Sequence, residues 1–282
     1  MMTRRLEVIS LGAGVQSSVM ALMAAHGEIE PRPKCAIFAD TMSEPKEVYE
    51  WLEWLEGIIS NPLLVENPFP VIRVKYRNLR EAIGKQQPSG PEVPIPAFVT
   101  RKIENGEWIK DGLIHRRCTS NYKIKPVVRE IRKQAGIFNK RTPKNIVATQ
   151  WLGISTNEAQ RMKPSRNSFI EHRWPLIEKR MNRRDCIRWI ENRYSVTPPR
   201  SACTFCPFHS NAEWIDLRDN HPEDFADAVQ VDLKIRGMYS GNGSEGKFYL
   251  HPSCVPLAEA QLDGDPNQPD LFGNECEGMC GV

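Results

Sequence analysis

Residues 10–18, SLGAGVQSS, constrain the fold of this chain more than any other stretch. An apolar run precedes them and a helical pattern follows, which predicts the order strand, loop, helix. Gly12 and Gly14 can take positive φ and let a ligand approach the main chain closely. The hydroxyls of Ser17 and Ser18, with the helix N-terminus, would then donate hydrogen bonds to an anion. The other positions assigned to this phosphate cradle are Ser10, Ala13 and Gln16.

This glycine–serine loop matches neither of two common phosphate-binding motifs. No Gly-Lys-Ser/Thr follows it, which excludes a Walker loop, and Ser17 stands where the dinucleotide fingerprint has its third glycine. An ordinary glycine–serine turn between a strand and a helix stays open as the alternative to a phosphate cradle.

A compact apolar run over residues 35–39 predicts a second buried strand, and Asp40 and Thr41 follow it directly. Ligands of open α/β sheets bind at the carboxyl ends of strands, so we expect both side chains beside the glycine–serine loop. Asp40 is also a candidate cap for a helix over residues 45–59, with Glu44 adding charge to its first turn. The two roles of Asp40 are compatible.

The remaining pattern predicts an α/β protein with a doubly wound parallel sheet. Further strands are expected over residues 71–74 and 146–149, with a hairpin over residues 98–114. Helices are expected over residues 127–135 and 185–190, where Cys186 is a core thiol.

A cysteine surrounded by cations precedes the first of these helices. Four basic side chains flank Cys118: Arg116, Arg117, Lys123 and Lys125. Cationic neighbours would lower the pKa of the thiol and make its thiolate available as a nucleophile or a metal ligand. A solvated basic surface around a half-buried, unreactive thiol is the alternative.

Two further cysteine pairs stand in the last third of the chain. Cys203 and Cys206 form a CxxC on a proline-flanked turn, and Cys276 and Cys280 form a CxxxC near the end. Together they predict a four-thiolate site for Zn²⁺ or a [4Fe–4S] cluster, with Cys254 as a reserve ligand. A pair of redox disulfides is the alternative.

Length and composition set the broader expectations. The 282 residues are predicted to form a nucleotide-binding domain over 1–195 and a helical, cysteine-rich appendage over 196–282, with helices over 212–218 and 222–236. The sequence has no signal peptide and no apolar run that could span a bilayer, which predicts a cytoplasmic protein without a membrane partner. The net charge of +3 implies nothing about nucleic acid by itself.

Taken in order, these motifs resemble the PP-loop group of N-type ATP pyrophosphatases and PAPS reductases. The likeness covers about residues 6–190. Within the group, the Cys-Thr and Lys-Ile-Lys-Pro segment looks most like DndC-type enzymes of DNA phosphorothioation and phage proteins labelled PAPS reductase. It rests on the glycine–serine loop, Phe38-Ala39-Asp40-Thr41, Cys118-Thr119, Lys123-Ile124-Lys125-Pro126, Gly153-Ile154-Ser155-Thr156-Asn157-Glu158, Arg161 and Trp174-Pro175-Leu176. The chain departs from the group where the usual loop has Lys-Asp, and at Ser155, where the family often has Arg.

The resemblance implies an adenine nucleotide α-hydrolase fold that binds ATP, or PAPS, together with Mg²⁺. The loop, Asp40, Thr41, Gly153 and Glu158 would then hold the nucleotide, and Arg117, Lys123 and Arg161 would neutralise its phosphates. The implied activity is ATP-dependent sulfur transfer to a nucleic acid or nucleoside, through an adenylated intermediate and with release of pyrophosphate. Cys118 would carry a persulfide or bind a cluster, a cysteine desulfurase would donate the sulfur, and iron–sulfur is favoured over zinc.

Two other functions stay open at this stage. One is a thiol-dependent reductase of PAPS or APS. The other is a non-catalytic nucleotide-binding module with a structural zinc site. The sequence is compatible with a homodimer and does not fix the oligomeric state.

Overall fold

The computed structural model describes residues 5–87, 90–114, 116–238 and 245–263. Strands in these ranges are β1 (Leu6–Leu11), β2 (Cys35–Asp40), β3 (Val71–Lys75), β4 (Gln86–Gln87), β5 (Gly90–Pro91), β6 (Phe98–Lys102), β7 (Trp108–Leu113), β8 (Ala148–Leu152), β9 (Ile170–Arg173) and β10 (Gly246–Tyr249). The α-helices are α1 (Val15–Ala25), α2 (Lys46–Ile59), α3 (Leu79–Ala82), α4 (Lys125–Gln134), α5 (Pro175–Glu178), α6 (Arg183–Tyr194), α7 (Asn211–Asn220) and α8 (Pro222–Arg236).

A five-stranded parallel sheet in the order β3-β2-β1-β8-β9 forms the centre of the molecule. Side chains of β1 alternate between its two faces, as the pleat requires. Ile9 and Leu11 pack with α1, α2 and α6, whereas Val8 packs with Val127 and Ile131 of α4. Helices therefore cover both faces of the sheet, which confirms the predicted α/β architecture.

Several predicted elements have different bounds in the structure. α1 begins at Val15, four residues before the apolar periodicity becomes clear, because its first turn consists of Gln and Ser residues that are buried. The strand predicted over 146–149 begins later, at Ala148, and ends at Leu152. β9 and β10 were not predicted at all.

The basic segment before α4 is itself helical, although the sequence predicted a helix only from residue 127. A π-helical stretch, Thr119–Ile124, runs directly into α4 at Lys125. Pro126 lies at the start of α4, and because its nitrogen carries no hydrogen, it cannot donate to a carbonyl of the preceding π-helical turn. Cys118 and Lys123 are therefore presented by a continuous helical segment.

A second apolar core joins the middle of the chain to its later part. β10 pairs with β6 in the three-stranded antiparallel sheet β10-β6-β7, so the later part is not purely helical. The core contains residues from both sides of the boundary predicted at 195/196, among them Leu79, Tyr122, Phe205, Trp214 and Leu250. The boundary itself stays a prediction. The cysteine-rich end, with Cys276 and Cys280, lies outside the described residues.

Among the helices of the described ranges, none has both the length and the apolar character needed to cross a membrane.

Candidate functional site

The carboxyl edge of the sheet, where the parallel strands end, collects the sequence-predicted site residues. In the glycine–serine loop, the positive φ of 59° belongs to Ala13, while Gly14 has φ −85° and ψ 174°. Gly14 therefore does not use the positive φ that glycine allows, and its backbone conformation is open to other residues. Ser10, Gly12 and the rest of the loop are buried.

Hydrogen bonds within the loop fix its two serine hydroxyls. The Gly12 N–H donates to Ser17 Oγ at 3.2 Å, and this hydroxyl donates to the Gly14 carbonyl at 3.2 Å. Ser18 Oγ accepts from the indole N–H of Trp51 on α2 at 3.1 Å. The hydroxyls predicted to bind an anion thus also hold the loop and α2 in place.

The end of β8 approaches the glycine–serine loop on one side. A Cβ added to Gly153 would lie 2.8 Å from both the Cα and the backbone nitrogen of Ser17, so only glycine fits this contact. Gln16 donates to Glu158 Oε2 at 3.2 Å, and Glu158 forms an ion pair with Arg161. Ser155 is fully buried, and its hydroxyl has no hydrogen-bond partner among the described residues.

The end of β2 lies on the other side of the loop. Asp40 Oδ1 accepts from the Met42 N–H at 2.7 Å and from the Tyr49 hydroxyl at 2.8 Å. Asp40 does not cap α2, because the residue at that cap is Pro45. Burial and the bond to Asp40 raise the pKa of Tyr49, which keeps its hydroxyl protonated as the donor.

Thr41, Glu44, Lys123 and Cys203 form a buried polar group that we call the closed cluster. Glu44 Oε1 lies 3.4 Å from Lys123 Nζ, 3.4 Å from Thr41 Oγ1 and 3.8 Å from Cys203 Sγ. Thr41 Oγ1 is also 3.4 Å from that sulfur. Oε2 of Glu44 is buried and accepts no hydrogen bond from the described residues. A carboxylate, an ammonium group and a thiol therefore meet out of contact with bulk water.

The cysteine turn, residues 201–206, packs directly on this edge of the sheet. The Ser201 hydroxyl donates to the Gly12 carbonyl, and the Thr204 N–H donates to the Ser43 carbonyl at 3.0 Å. Both thiols of the turn are buried, and the Cys206 N–H donates to the Cys203 carbonyl at 2.9 Å. The CxxC thus lies beside the glycine–serine loop, although it is about 190 residues away in sequence.

His209 supports the cysteine turn from behind. Its Nε2 lies 3.0 Å from the Cys203 carbonyl, and since a carbonyl only accepts, Nε2 carries the proton. Burial, with a smaller contribution from the Arg200 guanidinium, lowers the pKa of His209 to about 4. Nδ1 is buried and has no hydrogen-bond partner among the described residues. The neutral imidazole therefore belongs to the folded state.

Cys118 is half-buried and packs against the same apolar core that contains Cys203. The cations around it in sequence point to different places. Lys123 joins the closed cluster and Lys125 donates to Asn121 at 2.7 Å. Arg117 is exposed and the Arg116 guanidinium lies 5.2 Å from the centre of the Phe208 ring, while His115 falls outside the described residues.

The predicted metal ligands are only partly within the described ranges. Those ranges contain no group of three or more His, Cys, Asp or Glu side chains that could hold a metal ion. Cys203 and Cys206 are present as a buried pair, whereas Cys276 and Cys280 lie outside. Cys254, the reserve ligand, is half-buried after β10, and burial raises the pKa of its thiol.

Three residues of the site were not singled out as such from the sequence: Glu44 as an ionic partner, Ser201 and His209. The position of Glu44 could have marked it as a site residue, since it follows a predicted buried strand within a few residues, as Thr41 does. The sequence around Ser201 and His209 gave no such indication, because local sequence does not show which loop a turn will contact.

Comparisons of the chain with protein-family models, with curated proteins and with solved structures found no match in any of the three.

Proposed function

We propose that this protein binds ATP at the glycine–serine loop and uses it to transfer sulfur to a nucleic acid or nucleoside, as the resemblance to the PP-loop group implies. The supporting observation is the contact between Ser201 and Gly12, which brings a cysteine pair against the loop. A thiol chemistry and an anion-binding loop at one edge of a parallel sheet suit a reaction that joins nucleotide activation to sulfur transfer.

In this proposal the loop and the residues around it hold the nucleotide. Backbone donors at the start of α1 would bind the phosphates, and Asp40 and Gly153 would line the nucleoside side. Mg²⁺, when bound with the nucleotide, would offset the negative charge of the phosphates. Lys123, Arg117 and Arg161 would offset charge that develops on the phosphates. For Lys123 this requires exchange of its partner, because in the structure its ammonium group lies beside Glu44.

The proposed reaction has two steps. An oxygen of the acceptor attacks the α-phosphorus of ATP, the bond to pyrophosphate breaks, and the acceptor is adenylated. The terminal sulfur of a persulfide on Cys118 then attacks the carbon that bears the adenylate, and AMP leaves with the electron pair of the C–O bond. A dithiol reductant attacks the Cys118 sulfur, which releases the thiolated acceptor, and its second thiol restores Cys118. The persulfide sulfur would come from a cysteine desulfurase.

The proposed metal site uses Cys203, Cys206, Cys276 and Cys280, with a [4Fe–4S] cluster favoured over Zn²⁺. Such a group, when bound, would cross-link the chain end to the cysteine turn. Two buried thiols on one tight turn suit either metal, since both favour thiolate ligands. Metal and sulfide analysis of anaerobically purified protein tests the assignment. A Cys206→Ser, Cys280→Ser variant that retains stoichiometric metal would contradict this set of four ligands.

Product analysis decides between this function and the two alternatives. After incubation with ATP and acceptor, the proposal predicts AMP and pyrophosphate. Formation of sulfite and PAP from PAPS would establish a reductase. If neither nucleotide gave a product, the non-catalytic nucleotide-binding module would be the favoured function.

The role of Cys118 is tested in the same assay. Cys118→Ser should abolish sulfur transfer and leave ATP binding nearly unchanged, while Cys254→Ser, which removes another half-buried thiol, should retain transfer. Full transfer by Cys118→Ser would contradict the role of Cys118 as sulfur carrier and leave the ATP-binding assignment standing.

A further inference from the structure

Tyr122 is a buried tyrosine whose hydroxyl has no hydrogen-bond partner in the described part of the chain. Its side chain is fully buried in the second apolar core. The hydroxyl neither donates to nor accepts from any described residue. A buried donor without a partner costs free energy on folding, so a hydroxyl in this position needs an explanation beyond packing.

Cys118 lies on the same face of the helical segment as Tyr122. Cys118 has helical φ and ψ of −56° and −46°, and the π-helical stretch Thr119–Ile124 follows it without a break. Side chains at positions i and i+4 of such a run are neighbours on the helix surface. Both residues also contact the same apolar core. The geometry therefore places the Tyr122 side chain beside the Cys118 thiol.

The surroundings of Tyr122 keep its hydroxyl protonated. Burial raises the pKa of Tyr122 to about 12, and Glu92 and the Cys118 thiol raise it further in the same direction. The Glu92 carboxylate accepts a hydrogen bond from Arg77 at 3.3 Å. Cys118, in contrast, is only half-buried. A thiol at the border of the core therefore has a neutral O–H donor on its interior side.

We propose that the Tyr122 hydroxyl donates a hydrogen bond to the terminal sulfur of a persulfide on Cys118. A persulfide is a stronger acid than a thiol, so its terminal sulfur is anionic at neutral pH and needs a donor where it is partly buried. The added sulfur lengthens the side chain by one atom, which brings an acceptor to a hydroxyl that has none in the unmodified protein. This inference rests on the proposed function, in which Cys118 carries the sulfur.

A role in packing alone predicts a different response to loss of the hydroxyl. Phenylalanine fills nearly the same space as tyrosine and has no hydroxyl to bury. Tyr122→Phe should therefore not lower the urea midpoint of the unmodified protein, because no hydrogen bond is lost there. The persulfidated protein, in contrast, should lose a hydrogen bond to an anion, which is the stronger class. The proposal thus confines the loss to the persulfidated form.

The test measures a sulfur-exchange equilibrium in the full chain, with glutathione persulfide as the probe and without ATP or acceptor. The Cys118 thiolate attacks the outer sulfur of glutathione persulfide, the S–S bond of the reagent breaks, and glutathione leaves as its thiolate. After alkylation, peptide mass mapping gives the persulfidated fraction of Cys118 at several ratios of glutathione persulfide to glutathione. We expect Tyr122→Phe to lower the equilibrium constant at Cys118 at least about tenfold, as loss of a hydrogen bond to a charged group does.

The matched control is Tyr76→Phe, because the Tyr76 ring lies 5.5 Å from that of Tyr122 and its side chain is half-exposed. This variant should keep both the equilibrium constant and the urea midpoint of the unchanged protein. Equal losses in the two variants would overturn the proposal, as would a lower urea midpoint in Tyr122→Phe.

The same measurement distinguishes failure of this inference from failure of the proposed function. If Cys118 of the unchanged protein took up no sulfur, both the role of Tyr122 and that of Cys118 as sulfur carrier would be overturned. If Cys118 took up sulfur equally well in Tyr122→Phe, only the role of Tyr122 would be overturned. The assignment of the ATP site does not enter either result, because the assay contains no nucleotide.

Discussion

The two sides of the glycine–serine loop use charged residues in opposite ways. On the β2 side, the closed cluster buries Glu44 and Lys123 with side chains only 1% and 9% exposed. On the β8 side, Arg161 is half-buried, and Lys163 and Lys179 further along the chain are exposed. Buried charges stabilise only through their specific partners, whereas exposed charges contribute little to stability and remain able to bind ligands. The comparison predicts that removing a charge on the β2 side mainly affects folding and that removing one on the β8 side mainly affects binding.

The largest effect is expected from Lys123→Met. It leaves Glu44 buried with an uncompensated charge, and we expect a loss of about 3–5 kcal/mol in the free energy of unfolding, measured by urea denaturation. The double variant Lys123→Met, Glu44→Gln removes both charges and should recover a large part of this loss. If the double variant were as unstable as the single one, the ion pair would not be the source of the effect.

Acidification should lower the stability of the protein through His209, which supports the cysteine turn on the β2 side of the loop. Its pKa is about 4 in the folded protein and 6.5 in the unfolded chain, so the unfolded state binds the extra proton first. The contribution of neutral His209 to the free energy of unfolding is complete above pH 6.5 and is lost as the pH falls towards 4. The whole loss amounts to about 3 kcal/mol. His209→Gln should flatten the pH dependence of unfolding in this window. An unchanged pH profile in the variant would assign the dependence to another group.

Gly153→Ala tests the contact between β8 and the loop. Its Cβ would lie 2.8 Å from the Ser17 backbone, so the loop must shift. We expect a loss of about 1–3 kcal/mol in the free energy of unfolding and a lower affinity for ATP. Gly57→Ala is the matched control, because a Cβ at Gly57 in α2 has no atom within 4 Å. That control should stabilise the protein by about 0.5–1 kcal/mol. If the folded Gly153→Ala variant bound ATP with unchanged affinity, the assignment of the loop as the ATP site would be contradicted.

The smallest effect on stability is expected from Arg161→Gln. The Glu158 carboxylate is buried and loses its cation, but it keeps the Gln16 amide as a donor, so we expect a loss of about 1–2 kcal/mol, measured by urea denaturation. ATP affinity, measured by calorimetry, should nevertheless fall. A loss as large as that of Lys123→Met would erase the contrast between the two sides of the loop.

The parallel sheet could be predicted because its signals are local. β2 and α2 have nearly the predicted bounds, since an unbroken apolar run and a helical period are both visible in short windows. The start of α1 could not be placed, because Gln16, Ser17 and Ser18 are polar by type and buried by tertiary packing. β10 was missed because its partner β6 is more than 140 residues away.

The sequence by itself determined the α/β class, the strand end that carries Asp40, and the residue types available for chemistry. Only the tertiary structure decided which of those residues meet. It brought Ser201 to Gly12, and it joined Glu44 to Lys123 and Cys203. The physical reason is that the burial and pairing of a polar side chain depend on contacts distant in sequence, whereas the periodicity that defines a strand or a helix is contained within each element.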